Sequence, residues 1–170
     1  MIQTFFSRTG WFLLLLLLQV LVFNHIHILG YATPMPYVYF LLLLPGSTPR
    51  WGYLLLGFLL GLAIDLFTNT PGIAAASLCF VGLLTPPLLR AFSPNEQEDE
   101  VLFPSARSME WGPFLRLILV TVTIHCALFF CIEAFSFFNP ESLLVNIGSS
   151  ILLTTLFIIA MELVRGCGRH

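Results

Sequence analysis

Hydrophobic side chains occur in this chain as long, nearly uninterrupted runs divided by short polar breaks, and that pattern restricts the fold more than any other feature. A helix that crosses a bilayer needs roughly 20 mostly apolar residues, because the hydrocarbon is about 30 Å thick and each helical residue rises about 1.5 Å. Measured by that ruler, the 170 residues hold six candidate spans at about 9–29, 31–45, 51–68, 71–90, 112–138 and 143–164. A water-soluble fold is excluded by the arithmetic of its surface: 58% of the residues are hydrophobic, 9% are charged and the mean hydropathy is +0.93. Soluble domains carry about a quarter charged residues, enough to cover a core with polar groups. The expectation is therefore an all-α integral membrane protein, a six-helix transmembrane bundle over 1–170, with 91–111 as its one sizeable loop.

The breaks divide the runs unevenly. The first span is led by Trp11 to Phe23 and followed by Asn24-His25-Ile26-His27, without the small-residue cleavage site that a removable signal would need, so it is expected to stay. The second contains Pro34 and Pro36, and its continuous run from Met35 to Leu44 is short for a span. A tilted helix with an irregular start and a re-entrant piece buried against its neighbours both suit it. Turn residues Pro45 to Arg50 and Asn69-Thr70-Pro71-Gly72 bound the third, and Pro86-Pro87 is expected to distort the last turns of the fourth. The polar stretch from Phe92 to about Glu110 is too short for a catalytic domain. Its acids Glu96, Glu98, Asp99 and Glu100 suit a solvated face or the docking of a basic partner.

Every basic residue is an arginine. If the amino end is cytoplasmic and all six segments cross, then Arg8, Arg50, Arg90, Arg107, Arg165 and Arg169 fall on one side, and Arg116 lies just inside the fifth helix, within snorkelling reach of that side. That is the pattern of the positive-inside rule, and it places both termini in the cytoplasm of a multi-pass protein. Seven scattered arginines in a chain of net charge -2 do not form the dense stripe that nucleic acid requires.

Chemistry-bearing motifs are few. Cys79, Cys126 and Cys131 lie in apolar runs and read as small hydrophobes, and Cys167 beside Arg165 is a thin cue for lipidation. No HExxH, CxxC, GxSxG or glycine-rich phosphate loop is present, so neither a cofactor, a metal nor a catalytic group is expected. His125 and Glu133, eight apart in the fifth span, stand more than two turns from each other, too far to share a metal. His125 and Glu133 read as candidate buried polar groups of the bundle, hydration near the outer interface being the other reading of Glu133; His25 and His27 read as interface residues. Tyr31, Tyr37 and Tyr39 suit an interface belt or ligand contacts.

The most informative stretch is Gly57-x-x-x-Gly61-Leu62-x-x-Asp65. Glycines four apart share one helical face and let another backbone come close, either within the bundle or in a partner. Asp65 continues that ladder at a depth where a carboxylate must face protein or water. Three readings of it stand: a tie to the Asn69-Thr70-Pro71-Gly72 turn, part of a functional interface, or a proton or ion site. Gly72 and Ala75 open the fourth span with small residues suited to tight packing.

On these residues the chain resembles the family of rod shape-determining MreD proteins of bacteria, which it also matches in length and in its layout of short hydrophobic segments. The resemblance implies a non-enzymatic subunit of the cell-elongation complex in the inner membrane, with a fold similar to the substrate-binding subunits of energy-coupling-factor transporters. It implies MreC as partner, and through it a link between MreB filaments, the RodA glycosyltransferase and a class B penicillin-binding transpeptidase. Gly57, Gly61 and Asp65 would then support the bundle or its contact with MreC. The rival reading is a substrate-binding subunit for small-molecule uptake.

Overall fold

Lipid offers the peptide group no hydrogen-bond partner, so each apolar run closes its backbone bonds on itself. In the computed structural model, which describes residues 2–23, 33–93, 104–106, 108–134 and 140–167, the regular structure is all helical. The helices are α1 (Ile2–Leu21), α2 (Tyr39–Leu42), α3 (Arg50–Thr68), α4 (Ile73–Phe92), α5 (Trp111–Ala134) and α6 (Pro140–Cys167), with a 3-10 turn at Pro36–Val38 leading into α2. Four of them are long and apolar enough to cross a membrane: α3, α4, α5 and the Glu141–Arg165 part of α6. The apolar stretch of α1, Thr9–Leu21, is shorter. His25, His27, Tyr31, the acids Glu96 to Glu100, Arg107 and Arg169 lie outside the described residues, as do 24–29 of the first span and 135–138 of the fifth.

Two proline sites behave differently from each other. In the second segment Pro34 and Pro36 leave Thr33 to Met35 non-helical, and only the 3-10 turn and the single turn of α2 follow. In α4 the helix passes through Pro86 and Pro87 and ends at Phe92, so the expected distortion there does not end it. The Thr85 hydroxyl donates to the Val81 carbonyl at 2.8 Å beside the site. Membrane helices tolerate proline because neighbouring hydroxyls and helices make up for lost backbone bonds.

α3 packs along α4, α4 along α5 and α5 along α6, while α1 lies against α3 and the second segment. That segment occupies the centre: each residue from Pro34 to Leu42 is buried. Trp11 meets Tyr39 edge-on at 6.4 Å and Phe12 meets Phe40 at 5.4 Å, fixing the middle of α1 to the start of α2. Outward faces are apolar too. Leu55, Phe58, Leu62 and Leu66 on α3, and Leu144, Leu152, Leu156 and Leu163 on α6, are exposed. A surface of this kind is stable against hydrocarbon and not against water.

The contacts also fix directions. Tyr39 meets Trp11 of α1 and bonds Glu162 and Arg165 of α6, while Pro34 and Thr33 bond Gln19 of α1 and Ser150 of α6. Ala106, just before α5, also bonds Glu162. Trp11 midway along α1, Tyr39 at the start of α2, Ala106 before α5 and the end of α6 therefore lie together toward one end of the bundle. α3 follows α2 through the Pro45 turn, and α4 runs back along α3, so Arg50, Arg90, Arg116 and Arg165 gather at that end.

Candidate functional site

The α3–α4 hairpin is built on missing side chains. A Cβ added to Gly61 would stand 2.6 Å from the Ala75 nitrogen and 2.8 Å from the Ala74 carbonyl carbon, and closer still to the Ala75 Cα. One added to Gly57 would stand 3.0 Å from the Leu78 carbonyl oxygen. Gly82 answers from α4, where a Cβ would come within 2.9 Å of the Tyr53 oxygen. The two backbones thus touch along three positions, and Ala75 supplies the surface that Gly61 meets. Gly72 takes no part in this contact. It is exposed with nothing near its Cβ position, and its φ of +84° makes it a turn residue, which corrects the expectation that it packs.

Asp65 closes the hairpin. Its Oδ1 accepts from the Thr70 hydroxyl and the Ala74 N–H, and its Oδ2 from the Ala75 N–H, each at 2.9 Å. The first amides of a helix lack partners within it, and Gly72, at the N-cap, has no side chain to offer. A carboxylate from the preceding helix does that work, and the positive end of the α4 dipole favours its charge. Of the three readings of Asp65, the tie to the turn is the one this geometry describes. Asp65 is 4% exposed, and Gly57, Gly61 and Ala75 are buried with it between α3 and α4.

The second segment is held from both sides by polar groups that sequence reading did not single out. Its backbone N–H groups at Thr33 and Met35 donate to Ser150 Oγ at 3.1 Å and Thr154 Oγ1 at 2.9 Å. The residues between and after them, Pro34 and Pro36, have no N–H to satisfy. Alternate amides of an extended chain are about 6.6 Å apart, and side chains one turn apart on a helix about 6 Å, so the two ladders match over two rungs. On the other side the Gln19 amide donates to the Pro34 carbonyl at 3.3 Å. The prolines that disqualify 33–36 as helix are what make it tolerable in a membrane interior.

Deeper along the same segment, the Tyr37 hydroxyl shares a 2.9 Å hydrogen bond with His125 Nε2, and the rings meet edge-on at 5.2 Å. His125 is fully buried, as is Thr121 one turn away on α5. Among the described residues the Nδ1 of His125 and the Oγ1 of Thr121 find no hydrogen-bond partner. Glu133 lies elsewhere, exposed near the other end of α5.

At the arginine-rich end a single carboxylate joins three elements. Glu162, 5% exposed, accepts from the Tyr39 hydroxyl and from Arg165 Nη1 at 3.1 Å on one oxygen, and from the Ala106 N–H at 3.1 Å on the other. Arg165 Nη1 also donates to the Tyr39 hydroxyl at 2.9 Å. Arg50, Arg90 and Arg116 are exposed.

Sequence reasoning thus located the hairpin residues and His125, and missed Gln19, Gly82, Ser150, Thr154 and Glu162. A signal for the last three was present: Ser150, Thr154, Ile158 and Glu162 step by four along α6 and are all buried. Among the described residues no group of three or more His, Cys, Asp or Glu is arranged to hold a metal ion.

These features define a multi-pass, all-α membrane protein in which several interior polar side chains, Gln19, Asp65, Ser150, Thr154 and Glu162, bond its own backbone. No family model matches the chain, and no curated protein or solved structure matches it either.

Proposed function

We propose that this chain is a scaffold subunit of the MreD kind in a bacterial cell-elongation complex, binding MreC and helping couple MreB filaments to RodA and a class B transpeptidase. The observation that carries the reading is the filled centre of the bundle. Where a substrate-binding subunit would keep a polar cavity, the chain's own residues Pro34 to Leu42 are packed and buried. Such a body transmits position through its outer faces, and its arginine-rich end faces the cytoplasm by the positive-inside rule. The GxxxG–Asp65 signature contributes by making α3 and α4 a rigid hairpin, and no chemical step is assigned to it. The bundle would share the architecture of energy-coupling-factor substrate-binding subunits with that cavity closed.

The test is co-isolation from membranes of a tagged chain, with cross-linking before solubilisation. Recovery of MreC supports the scaffold reading. A folded chain that never captures MreC would overturn it. The uptake reading draws on one observation, the unpartnered His125 Nδ1 and Thr121 Oγ1 in the interior. Co-isolation with an energy-coupling ATPase cassette would select that reading instead.

A further inference from the structure

We propose that Glu162 is a latch: its carboxylate fastens the turn that leads into α5 across the arginine-rich end of the bundle, and through Tyr39 it couples that turn to the central segment. The turn, comprising Pro104, Ser105, Ala106, Ser108 and Met109, has its own internal structure. The Ser105 N–H donates to Ser108 Oγ at 3.1 Å, the Ser108 N–H to Ser105 Oγ at 3.2 Å and the Met109 N–H to the Ser105 carbonyl at 3.1 Å. It is also anchored, since Ala106 is 7% exposed and Met109 is fully buried. The Ala106 N–H donates to Glu162 Oε1 at 3.1 Å and so ties this turn to α6.

The other oxygen of that carboxylate serves Tyr39, and Arg165 bonds both. Glu162 therefore cannot turn toward one partner without loosening the other. Arg165 neutralises its charge within the cluster, and a side chain in this position is costly to bury unless every one of these partners stays in place. Movement of the turn and movement of Tyr39 are linked by that shared group, and linkage of this kind is reciprocal. A pull on the chain before α5 unseats Tyr39, and a shift of the central segment frees the turn. The far end of the segment, held by Ser150 and Thr154, is not part of the latch.

The experiment places a reporter at Ala106→Cys in a chain whose native cysteines are replaced by alanine, in membrane vesicles with the arginine-rich end accessible, and follows labelling by a membrane-impermeant maleimide. With Glu162 intact, labelling is slow. Glu162→Gln and Tyr39→Phe should each raise its rate, by about tenfold or more for Glu162→Gln, since a charge-assisted bond is lost. Ser150→Ala, which loosens the segment at its other end, should leave the rate within about twofold, because hydroxyl bonds there lie outside the cluster. Equal acceleration by Ser150→Ala would show general loosening and overturn the latch. So would a rate unchanged by both Glu162→Gln and Tyr39→Phe. If Glu162→Gln fails to insert, Tyr39→Phe alone decides between the two outcomes.

Discussion

Gly61→Ala adds one methyl group and should be among the most damaging small substitutions in the chain. The new Cβ would sit 2.6 Å from the Ala75 nitrogen, whereas unstrained contacts between heavy atoms lie at about 3.5–4.0 Å. Backbone, unlike a side-chain tip, cannot rotate away, so the helices must part locally by about 1 Å. A gap of that size forfeits a quarter to a half of each contact's dispersion energy along the seam. It also strains the three Asp65 hydrogen bonds, which start at 2.9 Å. Overpacking of this type costs about 1–3 kcal/mol, and a stretched charge-assisted bond adds about 1 kcal/mol or more. We expect a loss of about 3 kcal/mol for Gly61→Ala and about 1–2 kcal/mol for Gly57→Ala, where the nearest atom is 3.0 Å away. Gly148→Ala, with nothing within 4 Å, should be neutral or stabilising by up to about 1 kcal/mol. The assay is equilibrium unfolding in mixed lipid–detergent micelles, read by the exposure of the buried Cys126 thiol. Pairing Gly61→Ala with Asp65→Asn should give a combined loss smaller than the sum, because both act on one contact. Equal stability for Gly61→Ala and Gly148→Ala, or full additivity with Asp65→Asn, would refute this account of the hairpin.

Further outcomes follow from the polar interior. Thr154→Val strands the Met35 N–H and should cost about 1–3 kcal/mol in the same assay, whereas Thr155→Val, whose hydroxyl has no partner among the described residues, should cost nothing or stabilise. Tyr37→Phe leaves His125 Nε2 without its 2.9 Å partner and should destabilise by about 1–3 kcal/mol, with His125 NMR signals shifting accordingly. Pro34→Ala creates an amide N–H in the buried segment on the side away from Ser150 and Thr154, and is expected to lower stability despite the smaller change in shape.

What was legible in the sequence was local. Gly57, Gly61 and Asp65 share one helix, and their partner Ala75 follows within a single turn of chain, so four-residue spacing brings out the hairpin. The four helices long and apolar enough to cross a membrane were legible for the same reason, whereas the second of the six expected spans is only a single helical turn. Interactions that bind the second segment join residues 117, 119 and 123 positions apart, and no spacing rule reaches that far. Ser150 and Thr154 in an apolar helix are also ambiguous on their own, since hydroxyls commonly bond back to their own helix, as Ser149 does to the Val145 carbonyl at 2.6 Å. The proline-rich start of the segment carried half of the message. It pointed to an irregular start and left a tilted helix and a re-entrant piece both open, and the free donors could be assigned only once α6 was seen beside them.

That pairing bears on how the chain is made. The acceptors for Thr33 and Met35 lie 117 and 119 residues further along the chain, in α6, so the second segment leaves the ribosome long before they can receive its free amides. During synthesis it must wait in an aqueous or protein-lined setting, such as the insertion channel, and enter the bundle only when α6 arrives. Cutting the chain before α6 would then strand Thr33 to Tyr39 outside the bilayer while leaving the α3–α4 hairpin in place.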